Sequence, residues 1–271
     1  MLKSLLQQSL FCSPVGWYIS VLLAAGGVGA IAPQAQAFSF VTDRSALNAT
    51  DQLNWSGVGT VVGPITDLLP PADPSIFLPN TFVATSQAGQ AVMVEIPSTE
   101  LPGVLSPFVF QTTSGDGIET NFANGDYILF TGSALGPPPA TGNPGPITLT
   151  FAEPVFGAGA QIAVGTVFDF TATLTAFDEQ GQVLGSFSVP GMSSEALDNS
   201  ALFLGAVDEQ PRIAKLEFKA SEPTSPIGIN QLGLVTREAN TTVPEPSMLL
   251  GMLTLVTLGF CRRRRTANRL S

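Results

Sequence analysis

Histidine is absent from this chain of 271 residues, and cysteine occurs only twice, as Cys12 and Cys261 near the two ends. Without an imidazole, the Ser-His-Asp and Cys-His catalytic arrangements are excluded, together with a histidine general base and most zinc or iron sites. The long region between the two cysteines contains neither a thiol nor a disulfide. Much common enzyme chemistry is therefore excluded from the body of the chain.

Positive charge is also scarce between the two ends. Residues 38–243 contain 20 acidic residues but only five basic ones, which gives a net charge of −15. The basic residues are Arg44, Arg212, Lys215, Lys219 and Arg237. Nucleic acids and anionic membrane surfaces are poor partners for such a surface. We therefore predict that this region binds no nucleic acid.

No helical periodicity of useful length occurs in residues 38–243, where short alternating segments predict strands instead. In Ile147–Phe151 and Phe170–Phe177, apolar residues alternate with threonines, and Asp178–Gly181 is a turn that predicts a hairpin with Val183–Val189. Further candidate strands are Ala91–Ile96, Asp126–Gly132, Ser200–Ala206, Arg212–Ala220 and Ile227–Val235. Glycine and proline separate these segments. The pattern predicts an all-β domain over 38–243, an antiparallel β-sandwich or jelly roll.

The N-terminal 37 residues have the features of a secretory signal peptide. Lys3 precedes an apolar stretch over Val15–Ile31, and Ala35 and Ala37 form a small-x-small cleavage site. We predict that signal peptidase cleaves before Phe38. The alternative is an N-terminal helix that stays in the membrane.

The C-terminal segment "VPEPSMLLGMLTLVTLGFCRRRR" combines an apolar run with four arginines. The run Met248–Cys261 is marginal in length, because a spanning helix needs roughly 20 residues and at least about 17. Ser247, Pro246 and snorkelling arginine side chains would bring it into range. Arg262, Arg263, Arg264 and Arg265 would then stop transfer and stay on the cytoplasmic side. The alternative is a buried core helix with a basic end.

This segment resembles a PEP-CTERM sorting signal, in which a Pro-Glu-Pro tripeptide precedes a short apolar helix and a basic cluster. The matching residues are Pro244, Glu245 and Pro246, followed by the apolar run and the arginines, so the predicted segment is 244–265. The resemblance implies that an exosortase-type membrane transpeptidase cuts near the tripeptide and releases or re-anchors the protein at the cell surface. The chain departs from the family pattern in its tail, residues 266–271.

The body also resembles a group of uncharacterised exported bacterial PEP-CTERM proteins. The resemblance implies the same architecture but no activity. The segments that carry it are Thr50–Gly59, Phe151–Ile162, Phe170–Val189, Ser200–Ala206 and Ile227–Thr236.

Paired carboxylates are the main catalytic resource that remains. A glycoside hydrolase needs two of them about 5 to 9 Å apart across a cleft. The candidate pairs are Asp178 with Glu179, Asp208 with Glu209, and Asp116 with Glu119. All lie in predicted turns or loops, where solvated acidic residues are expected. We therefore predict that the protein is not an enzyme.

Calcium is the one cofactor that the acidic loops could bind. Asp198, Asn199, Asp208 and Glu209 offer hard oxygen ligands on either side of the Ser200–Ala206 strand. These residues could share an ion only if the chain folds back between them. No other cofactor is expected.

Two aromatic residues of the body could contact a sugar. Trp55 and Tyr127 are the tryptophan and the tyrosine that remain after signal-peptide removal, and such rings form apolar platforms for pyranose C–H groups. The alternation of Leu53 and Trp55 with Asn54 and Ser56 favours a core position for Trp55 instead.

Two functions follow from these observations. The favoured one is a non-catalytic exported protein of the cell surface or extracellular matrix, linked to exopolysaccharide or biofilm. The alternative is a carbohydrate-binding module or, with less support, a glycoside hydrolase. A third hypothesis is a single-pass membrane protein that keeps its C-terminal helix. The expected partners are signal peptidase, the exosortase-type enzyme and extracellular polysaccharide.

Overall fold

The computed structural model describes residues 38–63, 65–69, 72–114, 120–134, 141–165 and 168–236. The strands in these ranges are β1 (Ser39–Val41), β2 (Asp51–Leu53), β3 (Val61–Val62), β4 (Thr81–Thr85), β5 (Ala91–Glu95), β6 (Phe108–Gln111), β7 (Tyr127–Phe130), β8 (Ile147–Val155), β9 (Gly157–Val164), β10 (Asp169–Phe177), β11 (Val183–Met192), β12 (Leu202–Val207), β13 (Ile213–Ala220), β14 (Ile227–Ile229) and β15 (Leu232–Val235).

Helical structure in the described ranges is limited to short 3-10 segments. They span Ser45–Leu47, Trp55–Gly57, Ile65–Leu68 and Pro74–Ile76. None of these helices has the length and apolar character needed to cross a membrane. The predicted signal peptide (1–37), sorting segment (244–265) and tail (266–271) lie outside the described residues.

One sheet contains six antiparallel strands in the order β11-β10-β13-β8-β5-β4. Its central strands have the predicted alternation: in β10 the side chains of Phe170, Ala172, Leu174 and Ala176 are buried, and the threonines between them are half-buried. The predicted hairpin over Phe170–Val189 is confirmed, since β10 and β11 pair antiparallel. Asp178 forms its turn by accepting the backbone N–H groups of residues 180 and 182 at 3.0 and 2.8 Å.

The other sheet contains nine strands, with the path β1-β12-β9-β14-β7-β6-β3 and with β15 joining β9 to β2. One expectation needs correction here, because β3 and β6 pair parallel and the sheet is therefore mixed. The predicted strand Ile227–Val235 is also two strands, since the chain leaves the ladder at Asn230 and Gln231. The prediction of an all-β domain is confirmed for the described residues.

The main apolar core lies between the inner faces of the two sheets. It contains Leu149, Leu174 and Phe218 from the six-stranded sheet and Ile162 and Leu204 from the nine-stranded sheet, and each of these side chains is 0% exposed. Burial of each such side chain stabilises the fold by about 1.5 to 3 kcal/mol relative to exposure. Because both sheets contribute to one core, a sandwich describes their arrangement.

The outer face of the nine-stranded sheet is covered as well. Phe108, Phe110, Phe122 and Ile128 form a second apolar cluster there, and Leu47, Phe203 and Val235 form a third. Every residue of β9 is consequently buried. This explains why the "GAGAQIAV" segment lacks the apolar-polar alternation of a strand with one exposed face.

Candidate functional site

An open cleft of about 640 Å³ lies at one end of the six-stranded sheet, beside β10, β11 and β13. Asp169 is the first residue of β10, and Glu222 follows the end of β13. Because β10 pairs with both β11 and β13, these two carboxylates and residues of β11 reach the same cleft. The lining residues are Asp169, Phe170, Thr171, Pro190, Gly191, Ser221 and Glu222.

Hydrogen bonds hold one wall of the cleft in place. The Thr171 N–H donates to Ser221 Oγ at 3.0 Å, and the Ser221 N–H donates to the Thr171 carbonyl at 2.9 Å. The Ser221 hydroxyl in turn donates to Glu222 Oε1 at 3.4 Å. The wall therefore presents a hydroxyl and a carboxylate in a defined relative position.

Asp169 adds a second carboxylate to the cleft. The Asp169 carboxylate is exposed and has no hydrogen-bond partner among the described residues. Phe170 is 4% exposed, and its ring belongs to the main core. Two carboxylates and a hydroxyl suit a ligand that carries several hydroxyl groups.

The sequence did not single out Asp169 or Glu222. The candidate pair Asp178 and Glu179 lies instead in the β10–β11 turn, and Asp208 with Glu209 follows β12. Asp116 and Glu119 lie outside the described residues. Only the pairing of β10 with β13 brings Asp169 and Glu222 together, and alternation along one strand does not specify which strand is its neighbour.

A second polar site lies on the outer face of the nine-stranded sheet, between the two apolar clusters there. Asn230 Oδ1 accepts Arg44 Nη2 at 2.8 Å and the Gln161 N–H at 3.0 Å. Asn230 Nδ2 donates to Asp126 Oδ2 at 2.9 Å and to Gln161 Oε1 at 2.6 Å. Gln161 Nε2 extends the network to Asn199 Oδ1 at 3.0 Å.

Arg44 is the only cation in this network among the described residues. Partial burial lowers the pKa of its guanidinium from the ordinary value, and the negative charge of Asp126 opposes that shift. The guanidinium also lies over the Phe203 ring, 5.4 Å from its centroid. Since internal partners satisfy these groups, the network fastens the segment after residue 38 to the sheet.

The structure does not assemble the calcium site considered from the sequence. Asp198 and Asn199 precede β12 whereas Asp208 and Glu209 follow it, and six extended residues separate the two ends by about 20 Å. Asp208 Oδ2 already accepts Arg212 Nη2 at 2.6 Å, and Asp198 Oδ1 accepts the Ser200 N–H at 3.0 Å. Within the described ranges, no group of three or more acidic, histidine or cysteine residues could hold a metal ion.

The two candidate sugar-contact residues also lie away from the cleft. Trp55 is 0% exposed, and its Nε1 donates to the Asn230 carbonyl at 2.8 Å. Its ring is therefore not available to a surface ligand, which contradicts the sugar-contact hypothesis for Trp55 and agrees with the core alternative. Tyr127 is half-buried on β7 and packs against the main core.

A family model of the PEP-CTERM protein-sorting motif matches residues 242–265. The chain carries a PEP-CTERM sorting signal. This confirms the resemblance drawn from Pro244, Glu245, Pro246 and the arginine cluster, all of which lie outside the described residues. The PEP-CTERM signal implies an exported protein that an exosortase-type enzyme processes.

The PEP-CTERM chain has distant similarity to several solved structures. No functionally curated protein matches significantly. A DUF4465 family protein from Bacteroides caccae is 13% identical, with a TM-score of 0.35, over 73% of this chain and 100% of that one.

Two carbohydrate-binding modules are similar at still lower scores. A mutant of a family 29 module is 12% identical, with a TM-score of 0.23, over 57% of this chain and 99% of that one. A module from Clostridium stercorarium in complex with cellobiose is 8% identical, with a TM-score of 0.19, over 59% and 86% of the two chains. At these scores the similarities carry no functional inference.

Proposed function

We propose that the chain is a non-catalytic protein of the cell surface or extracellular matrix, sorted through its PEP-CTERM signal and linked to exopolysaccharide or biofilm. The motif match at residues 242–265 is the observation that carries this proposal. A signal peptide over residues 1–37 would deliver the chain to the membrane, and the exosortase-type enzyme would then cut near Pro244, Glu245 and Pro246.

The chemistry of the body supports a non-catalytic role. Residues 38–243 contain no histidine and no cysteine. Their charge of −15 favours solubility in a hydrated matrix. The threonines and serines on the outer face of β10 and β11 add a hydroxyl-rich surface, where Thr173 and Ser188 are hydrogen-bonded at 2.8 Å.

The test is to map both termini of the mature protein in the producing bacterium. Mass spectrometry of the surface fraction should find Phe38 at the N-terminus and no Arg262–Arg265 at the C-terminus. Replacing Pro244, Glu245 and Pro246 together by alanine should leave the C-terminal segment uncut. Glu238→Ala is the matched control, because it removes an acidic residue just outside the motif and should leave processing unchanged. An intact arginine cluster on the surface form of the wild type would contradict the proposal.

Carbohydrate binding is the second candidate function, and the cleft between Asp169 and Glu222 favours it. In this hypothesis the carboxylates of Asp169 and Glu222 and the Ser221 hydroxyl bind sugar hydroxyl groups. Asp169→Asn and Glu222→Gln keep the side-chain shape but remove the charges, and they should weaken binding to polysaccharide from the producing cells. Glu179→Gln, in the exposed β10–β11 turn, is the control that should bind as the wild type does.

Binding and cleavage are separated by a second measurement on the same samples. A non-catalytic module should release no new reducing ends from the polysaccharide. Binding that survives both cleft substitutions would exclude this cleft as the site. Absence of binding together with retention at the surface would favour the purely structural function.

A further inference from the structure

The edge strand β11 is free of charge in an otherwise strongly acidic body. Its ten residues, "VLGSFSVPGM", include no acidic or basic residue. It pairs with β10 along one edge, and no strand of the described ranges pairs with its other edge. An exposed edge of this length is a template for pairing with another chain.

The register with β10 shows which backbone groups of β11 point outward. The Ser193 N–H donates to the Phe168 carbonyl at 3.0 Å, so these two residues form a hydrogen-bonded pair at the end of the ladder. Hydrogen-bonded and non-hydrogen-bonded pairs alternate in an antiparallel ladder. Ser188, opposite Thr173, and Ser186, opposite Thr175, therefore belong to non-hydrogen-bonded pairs. Their N–H and C=O groups point away from β10.

Other observations support this assignment. Pro190, which has no N–H, is opposite Thr171 in the same set of pairs. The Thr171 N–H bonds to Ser221 Oγ on the β13 side rather than to β11. The side chains of Thr175 and Ser186 are hydrogen-bonded at 2.9 Å, as expected for the closer, non-hydrogen-bonded pairs.

We propose that β11 pairs antiparallel with β11 of a second copy of this chain. In the proposed register, Ser186 of each copy is opposite Ser188 of the other, and each such pair exchanges N–H···O bonds in both directions. The two Phe187 residues then lie opposite each other at the twofold axis. Each Phe187 already stacks on Phe40 of its own chain at 5.2 Å, so the inner apolar faces of the two copies become continuous.

Two features of this edge suit a second copy: β11 itself has no charged residue, and Pro190 restricts the register. Two bodies of charge −15 repel each other, and an uncharged strand with no acidic residue of its own is where they can approach. Pro190 cannot donate a hydrogen bond, so a register centred on Phe187 uses the donors at Ser186 and Ser188 that remain. The twofold pairing occupies both β11 edges and is therefore closed.

The oligomeric state of the processed protein, purified from producing cells, tests the proposal. Sedimentation velocity should show a monomer-dimer equilibrium. Replacing both Ser186 and Ser188 by lysine places like charges directly opposite each other and should weaken the dimer by about tenfold or more. Val83→Lys on the outer face of β4, at the other edge of the same sheet, is the matched control and should leave the dimer unchanged. Circular dichroism checks that both variants keep the fold.

A cysteine pairing experiment tests the register itself. Opposite Cα atoms of a hydrogen-bonded pair are about 5.5 Å apart, within disulfide range. Mixing the Ser186→Cys and Ser188→Cys variants should give an interchain disulfide under mild oxidation, whereas each variant alone should give much less. A monomeric wild type would overturn the proposal. A dimer that resists the double lysine substitution, or equal crosslinking in all mixtures, would do so as well.

Discussion

Arg44 and Asn230 are 186 residues apart in the sequence, and Arg44 Nη2 donates a 2.8 Å hydrogen bond to Asn230 Oδ1. Arg44 follows β1, whereas Asn230 lies where the chain passes from β14 to β15. The bond therefore joins the first and last parts of the described body. The buried carbonyl of Asn230 also accepts Trp55 Nε1 at 2.8 Å, so one residue connects three separate segments.

Asn230→Ala should lower the free energy of unfolding by roughly 2 to 3 kcal/mol, because the buried Gln161 N–H loses its acceptor, and Arg44 Nη2 and Asp126 Oδ2 each lose one partner. Urea denaturation followed by tryptophan fluorescence measures the change, since Trp55 is adjacent. Asn80→Ala is the control: Asn80 is exposed and should be nearly neutral. Equal effects of the two substitutions would show that the network contributes nothing specific.

Gly159→Ala should destabilise the nine-stranded sheet by about 1 to 3 kcal/mol through overpacking. A Cβ at Gly159 would lie 2.6 Å from the Gly205 Cα and 2.8 Å from the Leu204 carbonyl oxygen. Gly57→Ala is the matched control, because its Cβ would meet nothing within 4 Å. Thermal unfolding should show a lower midpoint for the first variant and little change for the second.

The Asp73 carboxyl group should make the free energy of unfolding depend on pH under acidic conditions. Hydrogen bonds from the Ser75 N–H and hydroxyl lower the pKa of the Asp73 carboxyl below its ordinary value of 3.8. A carboxyl whose pKa is lower in the folded state stabilises the fold above its unfolded pKa, and this contribution is lost as the pH falls through the folded pKa.

The expected result is that wild type exceeds Asp73→Asn in stability at pH 6 and that the difference shrinks as the pH falls below 3.8. Comparing the two proteins removes the larger effect of protonating other acidic residues. Urea denaturation across this range measures the difference. A difference that stays constant or grows in acid would contradict the assignment.

Arg212→Ala should cost more stability than Lys219→Ala. Arg212 binds Asp208 at 2.6 Å, and the Asp208 side chain is only 2% exposed, so removing the guanidinium leaves a buried carboxylate. We expect a loss of about 2 kcal/mol. Lys219 binds Glu217 at 2.6 Å, but the exposed fractions are 50% and 21%, and such a pair contributes less than about 1 kcal/mol. Chemical denaturation of the two variants gives the comparison.

Several features of the fold could be predicted from local patterns. Ile147, Leu149 and Phe151 alternate with threonines and are buried in β8 as expected. The Asp178 turn likewise marks the β10–β11 hairpin. These predictions succeed because a strand with one buried face has apolar and polar residues in alternation along its sequence. In β9 both faces are buried, so that signal is missing.

The candidate site was less accessible to prediction. Asp169 and Glu222 share a cleft because β10 and β13 are neighbours, although a long stretch of chain separates them. Trp55 was more predictable: the alternation around it favoured a core position, and its ring is buried, although it begins a 3-10 segment.

The sequence by itself determined the sorting signal, the charge of the body and the absence of histidine, because these depend on residue identity and local order alone. The tertiary structure decided which strands are neighbours, which carboxylates share a cleft, and which edge has donors at Ser186 and Ser188 that no described strand pairs. These features depend on contacts between residues far apart in the chain, and local propensity does not specify such contacts.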